Sequence, residues 1–447
     1  MLKKLFSLLG EYKKYAIITP LFIVGEVIME ILIPFLMAAI IDNGILGSGG
    51  IRYTVSMGGL MVAMAVVSLF FGAMAGRYSA KASTGFSRNV RNALFDRVQD
   101  FSFSNIDHFS TASLITRLTT DVTNLQNAFM MIIRLGFRAP LMMIGATLMA
   151  VLISRRLSVV FLVAIPILGT AIFLIVHAAY SRFRKMLAKY DAINASVQEN
   201  LIGIRVVKAF VREEYEDKKF RESADDLRKA QFMAEKLVIL NMPILQMTMF
   251  ACIISVLWFG GNLVITGGME LGQLSSFISY ISQILISLMM ISMIFIILVL
   301  SRASAGRITE VLDEASDLTD DAADPDLKLR DGSVEFRDAS FRYGGKQGNL
   351  TLEHITFSIA SGETVGIIGG TGSAKSTLVQ LIPRLYDLSG GDLLVGGHDV
   401  RAYRLETLRN SVSMVLQKNV LFSGTVRENL LWGNEDATDE EIEAACR

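Results

Sequence analysis

The stretch that decides the fold of the C-terminal part reads Thr364-Val365-Gly366-Ile367-Ile368 and continues as Gly369-Gly370-Thr371-Gly372-Ser373-Ala374-Lys375-Ser376-Thr377. Its first five residues have the pattern of a buried strand, and a helix pattern covers residues 375–386. A glycine-rich loop between a strand and a helix is the setting of a phosphate-binding loop. The stretch therefore predicts nucleotide binding, and the alternative is a Gly/Ser-rich turn before a helix.

The residue types of this loop suit a phosphate chain. Its glycines allow successive backbone N–H groups to turn inward as an anion nest, and the N-terminus of the following helix adds partial positive charge. Lys375 is placed to reach the β- and γ-phosphates, and the Ser376 hydroxyl is placed to bind Mg²⁺. Thr377 caps the helix or packs.

Ala374 departs from the usual pattern, G-x-x-x-x-G-K-[ST], in which a glycine precedes the lysine. We expect a backbone angle there that is natural to glycine, and holding alanine in it costs on the order of 1–3 kcal/mol. Nucleotide binding would then be weaker by roughly 5- to 150-fold, since 1.4 kcal/mol is a factor of ten.

Short β-like runs surround the loop, and an acidic segment precedes them. The runs are residues 334–336, 354–359, 364–368, 393–395 and 412–416. Because helical patterns fall between them, they predict an α/β domain over residues 332–447 with an at least partly parallel sheet. Residues 313–331 hold eight Asp and Glu side chains and one proline, which is typical of a solvated linker.

The composition of the 447 residues indicates a membrane protein. Hydrophobic residues make up 52% and charged residues 19%, and the mean hydropathy is +0.45. The 43 basic and 43 acidic side chains balance, which argues against a nucleic-acid-binding protein. Two distant cysteines, Cys252 and Cys446, exclude a disulfide scaffold and a cysteine-rich zinc site.

Six apolar runs before residue 305 predict six transmembrane helices, because a spanning helix needs about 20 apolar residues. The runs are residues 15–41, 53–76, 139–154, 157–181, 237–269 and 271–301. Segment 77–127 carries six Lys and Arg residues and segment 182–236 carries thirteen, whereas the opposite loops hold three. The N-terminus, both long segments and the chain after the sixth span should therefore be cytoplasmic.

The two long cytoplasmic segments have helical composition and few turn signals. Each predicts a helical hairpin, or arm, that reaches roughly 37 Å below the membrane and touches something in the cytosol at its tip. The alternative is an ordinary soluble helical insertion. Residues 1–14 predict a helix in the membrane interface rather than a signal peptide, because their apolar stretch is too short.

Together the six spans, two arms, acidic linker and phosphate loop resemble one half of an ATP-binding cassette exporter, most of all the bacterial multidrug and lipid exporter type. Residues 107–122, which begin Asp107-His108-Phe109, resemble the family's first intracellular loop. Residues 203–210 with Glu213 resemble the second. In the family these tips carry the coupling helices that dock on the nucleotide-binding domains.

Two more residues acquire a role through this resemblance. The stretch from Val334 to Tyr343 is similar to the family's first strand and aromatic loop, so that Tyr343 would stack on adenine; otherwise it is a core or edge tyrosine. Residues 413–426 look like the Q-loop, in which Gln417 would reach Mg²⁺ and the attacking water and would sense the arms.

The resemblance implies a multi-pass α-helical membrane domain over residues 1–312, with six transmembrane helices and long cytoplasmic extensions. The linker and a partial α/β P-loop nucleotide-binding domain follow. Such a subunit would use ATP and Mg²⁺ to move hydrophobic or amphipathic compounds out across a bacterial inner membrane by alternating access. Its partner would be a second half-transporter, in a homo- or heterodimer. The alternatives are a non-catalytic regulatory half and an ATP-gated pore.

The family places four elements after the Q-loop that this sequence does not contain: the signature motif, the Walker B strand, the catalytic glutamate and the switch histidine. We therefore expect the N-terminal three-quarters of a half-transporter, and no hydrolysis by these residues alone. The stretch Leu388-Ser389-Gly390-Gly391-Asp392 resembles the signature motif, but its place between the loop helix and the next strand favours a glycine turn.

Four charged side chains lie inside predicted spans. Glu26 and Glu30 share one face of the first span, where they either attract cationic substrates into a central cavity or have a hydrogen-bonded structural role. Arg134 and Arg138 share a face of the third span, and we expect both to extend to the membrane interface.

Overall fold

The computed structural model describes residues 2–344, 349–417 and 419–447. The chain divides into two units. The first comprises Met1–Val98 and Leu114–Asp313, and the second comprises Gln99–Ser113 and Glu314–Arg447. The second unit therefore includes a short segment from the tip of the first arm.

Long helices form the first unit and continue into the arms. In chain order the helices up to residue 313 are α1 (Leu2–Ser7), α2 (Lys13–Ala39), α3 (Gly50–Gln99), α4 (Phe103–Phe109), α5 (Thr111–Thr116), α6 (Val122–Ile153), α7 (Val159–Ile202), α8 (Ile204–Ala209), α9 (Glu213–Ile239), α10 (Asn241–Ile265) and α11 (Leu271–Asp313). A 3₁₀ turn at Gly10–Tyr12 and π-helical turns at Ile40–Ile45 and Arg117–Asp121 join some of them.

The described residues contain six helical segments long and apolar enough to cross a membrane, which confirms the predicted count. They are Gly10–Ile45, Gly50–Gln99, Thr111–Ile153, Val159–Ile202, Glu213–Ile265 and Leu271–Asp313. Several are much longer than a span requires, so the arms are continuations of spanning helices. In the second arm α7 packs along α9, with α8 at the turn, as a helical hairpin requires.

Helix α11 packs against α2, α6 and α10 in the membrane unit, and its Phe277 is completely buried there. The Tyr280 hydroxyl donates to the Ile31 carbonyl at 2.8 Å, and the Ser276 hydroxyl donates to the Pro34 carbonyl at 2.5 Å. These bonds join α11 to α2 and satisfy polar groups that would be costly to leave unpaired in an apolar setting.

The second unit is built around a small antiparallel sheet. Its strands are β1 (Val334–Arg342), β2 (Leu350–Ile359), β3 (Gly390–Val395) and β4 (His398–Asp399), in the order β2-β1-β3-β4. The helices of this unit that follow β2 in the chain are α12 (Lys375–Leu381), α13 (Leu405–Ser411), α14 (Val426–Leu430) and α15 (Asp439–Cys446). Phe336, Leu381 and Leu393 are almost completely buried in one shared core.

Two predicted strands are wrong, and so is the prediction of a partly parallel sheet. Residues 364–368 and 412–416 are irregular, and each described pair of neighbouring strands is antiparallel. An apolar run becomes a strand only where a neighbouring strand completes its ladder of hydrogen bonds. The described residues supply no such neighbour for these two runs, and Ile368 is 98% exposed.

The acidic segment before β1 is attached to the sheet unit. Leu318 is buried, and Leu327 and Leu329 pack against the edge of the core. The Asp324 amide donates to the Ala402 carbonyl at 2.9 Å. Its few apolar residues therefore anchor a segment whose charges alone indicate a solvated linker.

Candidate functional site

The glycine-rich loop folds around its own lysine. Lys375 begins α12, and its ammonium donates to the carbonyl oxygens of Gly369 and Gly370 at 2.9 and 2.7 Å. It also donates to the Ser373 hydroxyl at 3.2 Å, and that hydroxyl donates to the Gly370 carbonyl at 2.9 Å. The Lys375 ammonium is thus hydrogen-bonded to uncharged carbonyl and hydroxyl oxygens. These oxygens bind it less strongly than an anion would.

Ala374 has the backbone conformation expected at its position. Its φ of 60° and ψ of 19° lie in the left-handed region, and Gly372 has a φ of 85°. The Ala374 carbonyl accepts the Leu378 amide at 3.0 Å, a bond of the first turn of α12. The left-handed residue therefore ends the loop and starts the helix, and alanine adopts this conformation at a steric cost.

The Tyr343 ring lies beside α12. Its hydroxyl is 3.0 Å from the Thr377 hydroxyl, and Thr377 is buried. The ring centroids of Phe341 and Tyr386 lie 4.8 and 5.3 Å from that of Tyr343, at interplanar angles of 85° and 88°. Tyr343 itself remains 39% exposed. The ring is thus held by its hydroxyl and by two perpendicular ring contacts, while part of the residue stays accessible.

The other predicted site residues are exposed. Thr371 and Ser376 are on the surface, and Gln417 lies in an irregular, exposed segment. In the described part of the chain no hydrogen bond joins Gln417 to the loop. The structure therefore brings Tyr343 and Thr377 together with the loop, and it does not add Gln417 to them.

The loop leaves space for a ligand beside its backbone. A Cβ atom added at Gly370 or Gly372 would meet no heavy atom within 4 Å, so a ligand can approach the backbone closely. The Lys375 ammonium supplies complementary charge, and the Ser376 hydroxyl is a suitable oxygen ligand for Mg²⁺. Among the residues that the structure describes, no group of three or more His, Cys, Asp or Glu side chains could hold a metal ion.

Residues 388–392 enter the sheet rather than form the predicted glycine turn, because Gly390, Gly391 and Asp392 are the first three residues of β3 and pair along β1. Gly391 has a φ of 77°, and a Cβ atom there would collide with the Asp338 carbonyl oxygen. The Ser389 amide donates to the Ser340 carbonyl at 2.9 Å. Gly390 and Gly391 are therefore part of the sheet, and the missing side chain of Gly391 lets β3 pass close to Asp338 of β1.

Tyr386, which sequence reasoning missed, connects helix α4 to this site. Its hydroxyl donates to the Asp107 carboxylate at 2.8 Å, and its ring centroid lies 5.9 Å from that of Phe103. Burial raises the pKa of Tyr386, and the hydrogen bond to Asp107 raises it further, so the hydroxyl stays protonated. Asn105 also attaches α4, because its side chain donates to the Glu314 carboxylate at 2.8 Å. In the sequence, Tyr386 is the aromatic residue that ends the helix pattern. An aromatic residue at such a position is equally typical of a core residue, so it did not indicate a site.

In the membrane unit Arg138 binds both glutamates of the first span. One guanidinium nitrogen donates to Glu26, and the other donates to both Glu30 oxygens at 2.8 and 2.9 Å. A Cβ atom at Gly72 would lie 2.9 Å from the Glu26 carboxylate, so α3 approaches this cluster through a glycine. The expectation that Arg138 extends to the interface is wrong, because the two carboxylates hold its side chain at 21% exposure. For Glu26 and Glu30 the structure therefore shows the hydrogen-bonded structural role.

Residues 16–289 match the family model of the ABC transporter transmembrane region, and residues 352–447 match that of the ABC transporter. The chain belongs to the ABC transporter family. The uncharacterized ABC transporter ATP-binding protein YfiB of Bacillus subtilis (strain 168) is 35% identical to this transporter over 446 residues. These residues span 100% of this chain and 77% of YfiB.

Two other relatives have comparable coverage. The uncharacterized ABC transporter ATP-binding protein Rv1273c of Mycobacterium tuberculosis (strain ATCC 25618 / H37Rv) is 34% identical, over 93% of this chain and 72% of its own. YgaD of B. subtilis, provisionally named a multidrug export ATP-binding/permease protein, is 29% identical, over 100% of this chain and 78% of its own. The transporter is therefore a multi-pass membrane protein with an ABC domain.

Proposed function

We propose that this transporter is a subunit of an ATP-driven exporter that moves hydrophobic or amphipathic compounds out across the bacterial inner membrane by alternating access. The observation that supports it is the glycine-rich loop around Lys375, beside the Tyr343 ring, in a chain whose described residues include six helical segments long and apolar enough to span a membrane. The multidrug export in the name of YgaD supports the outward direction.

The domain boundaries in this proposal follow the composition. Residues 1–312 are the membrane domain, residues 313–331 are the linker, and residues 332–447 belong to the nucleotide-binding domain. The basic residues of segments 77–127 and 182–236 support a cytoplasmic location for the N-terminus, the arms and the nucleotide-binding domain.

The loop residues would have separate tasks in binding. Lys375 would exchange the loop carbonyls for phosphate oxygens, because a charged acceptor makes the stronger hydrogen bond. Ser376 would bind Mg²⁺, Tyr343 would hold the adenine, and Gln417 would approach the same metal and position water. Mg²⁺ would neutralise charge on the phosphates, and ATP would supply the free energy for transport.

The tip of the second arm supports a partner subunit. In α8 and the turn after it, Val206, Phe210 and Val211 are 60%, 73% and 80% exposed. A contiguous apolar surface of this kind marks an interaction site in proteins. We propose that α8 docks on the nucleotide-binding domain of a second half-transporter, in a homo- or heterodimer, and carries force from there to the membrane helices.

Replacing Lys375 with alanine tests the proposal. The variant loses the ammonium group of the loop, so we expect labelling by a photoreactive ATP analogue to fall by at least about tenfold, the equivalent of 1.4 kcal/mol. Membrane insertion should stay normal. Lys328→Ala removes an exposed lysine of the same unit and should label like the native protein. Unchanged labelling of the Lys375→Ala protein would mean that the loop does not bind ATP.

A further inference from the structure

Four side chains of the second unit form a continuous chain of contacts from α4 to α12. The Asp107 carboxylate accepts the Tyr386 hydroxyl at 2.8 Å, and the Tyr386 ring meets the Tyr343 ring edge-on at 5.3 Å. The Tyr343 hydroxyl lies 3.0 Å from the Thr377 hydroxyl, two residues after Lys375. One end of this chain is the tip of the first arm, and the other end is the glycine-rich loop.

We propose that Tyr386 is a positioning residue that links the position of α4 to nucleotide binding at the loop. The inference rests on the proposed function, because it requires a nucleotide beside Tyr343. A base stacked on Tyr343 would restrain that ring, the ring would restrain Tyr386, and the Tyr386 hydroxyl would hold α4 through Asp107. If bound nucleotide changes the equilibrium between two positions of α4 by some factor, thermodynamic linkage requires that moving α4 between these positions changes the affinity for nucleotide by the same factor.

Each contact in this chain is directional. A hydroxyl that donates to a carboxylate makes a stronger and shorter hydrogen bond than one between neutral groups. The perpendicular arrangement of the Tyr343 and Tyr386 rings, at 88°, is a preferred geometry that a displacement of either ring would weaken. Thr377 is only 6% exposed, so its hydroxyl is held near that of Tyr343 rather than in water.

The surroundings of α4 leave room for such a displacement. A cavity of about 1000 Å³ is lined by α4, by Tyr343 and by residues 385–389. The second polar attachment of α4, from Asn105 to Glu314 and the Ala315 carbonyl, leads to the acidic segment and not to the loop. Tyr386 meets α4 through the ring of Phe103, a contact that the phenylalanine variant of Tyr386 keeps, and through the hydrogen bond to Asp107. That hydrogen bond is the directional contact through which α4 would respond to the nucleotide.

Hydrogen exchange of residues 99–113 tests this link in the purified transporter in lipid nanodiscs. It is measured by mass spectrometry with Mg²⁺, with and without a non-hydrolysable ATP analogue at a concentration that a fluorescence titration shows to be saturating for each protein. In the native protein we expect the analogue to slow exchange in α4 by about fivefold or more, the lower range of allosteric coupling factors. In Tyr386→Phe, which keeps the ring and removes the hydroxyl, the effect should fall below about twofold.

Tyr403→Phe is the matched control, because its hydroxyl also makes a 2.8 Å bond in this unit, to the Val395 carbonyl. That variant should keep the full effect of the analogue. Asp107→Ala should reproduce the Tyr386→Phe result, and the double variant should lose nothing further, since both changes break one interaction.

Three outcomes would contradict the proposals in distinguishable ways. If the analogue slowed hydrogen exchange in α4 as much in Tyr386→Phe as in the native protein, the link would be overturned, and ATP binding by the loop would be unaffected. A purely structural role for Tyr386 would speed exchange by the same factor with and without the analogue, and this would overturn the link as well. If the native protein did not bind the analogue, the proposed function would fail and the link would fail with it.

Discussion

Replacing Ala374 with glycine would remove a strained conformation from the loop. Ala374 has a φ of 60° and a ψ of 19°, where a residue with a Cβ atom is destabilised by about 1–2 kcal/mol and glycine is not. Glycine in turn costs about 0.4–1 kcal/mol through the larger entropy of the unfolded chain. The difference predicts that Ala374→Gly stabilises the folded domain by about 1 kcal/mol.

The structure also indicates where this strain acts. The loop holds Ala374 in the left-handed conformation by its own contacts, because the Ala374 carbonyl accepts the Leu378 amide and Lys375 binds the Gly369 and Gly370 carbonyls. Most of the cost therefore falls on folding rather than on ATP binding. We expect Ala374→Gly to raise ATP affinity by less than about fivefold, the lower limit of the range that the sequence predicts.

Thermal unfolding and an ATP titration separate these two effects. A gain of about 1 kcal/mol corresponds to a rise in melting temperature of roughly 4 °C for a domain of this size. Gly372→Ala is the converse control: Gly372 has a φ of 85°, so this variant should be destabilised by a comparable amount. An unchanged or lower melting temperature of Ala374→Gly would refute the strain argument. A rise in affinity well above fivefold would show instead that the strain arises on binding.

Arg138→Leu should destabilise the membrane unit by about 3 kcal/mol, because it leaves two partly buried carboxylates without their partner. Thermal unfolding checks this, with the exposed Arg134→Leu as a control of little effect. In vesicles where the native protein shows ATP-dependent uptake of an amphipathic dye, Phe210→Ala should reduce that uptake while photoreactive labelling persists, and normal uptake would remove α8 from the mechanism. The hydrogen bond to Asp338 raises the pKa of His354 above 6.5, the ordinary value of a histidine. The pair therefore stabilises the fold fully below about pH 6.5, and this stabilisation is lost as the pH rises through the raised pKa. Asp338→Asn should therefore lower the melting temperature at about pH 6 and change little well above the raised pKa; equal effects at both would contradict this.

Local patterns were enough to predict the membrane spans and the loop. Each span depends on about 20 consecutive apolar residues, whose own transfer into the bilayer stabilises them. The glycine-rich loop depends on nine consecutive residues, and the left-handed angle at Ala374 follows from the turn that they must make. These features need no knowledge of any distant segment.

Tertiary structure alone decided which distant residues meet. Arg138 and Glu30 are 108 residues apart and Asp107 and Tyr386 are 279 apart, so no periodicity could pair them. The run at residues 364–368 has the side chains of a buried strand, yet the described residues supply no neighbouring strand for its backbone. An ion pair, a strand ladder or a ring contact forms only when two segments are brought together, and their relative placement is a property of the folded chain rather than of either segment.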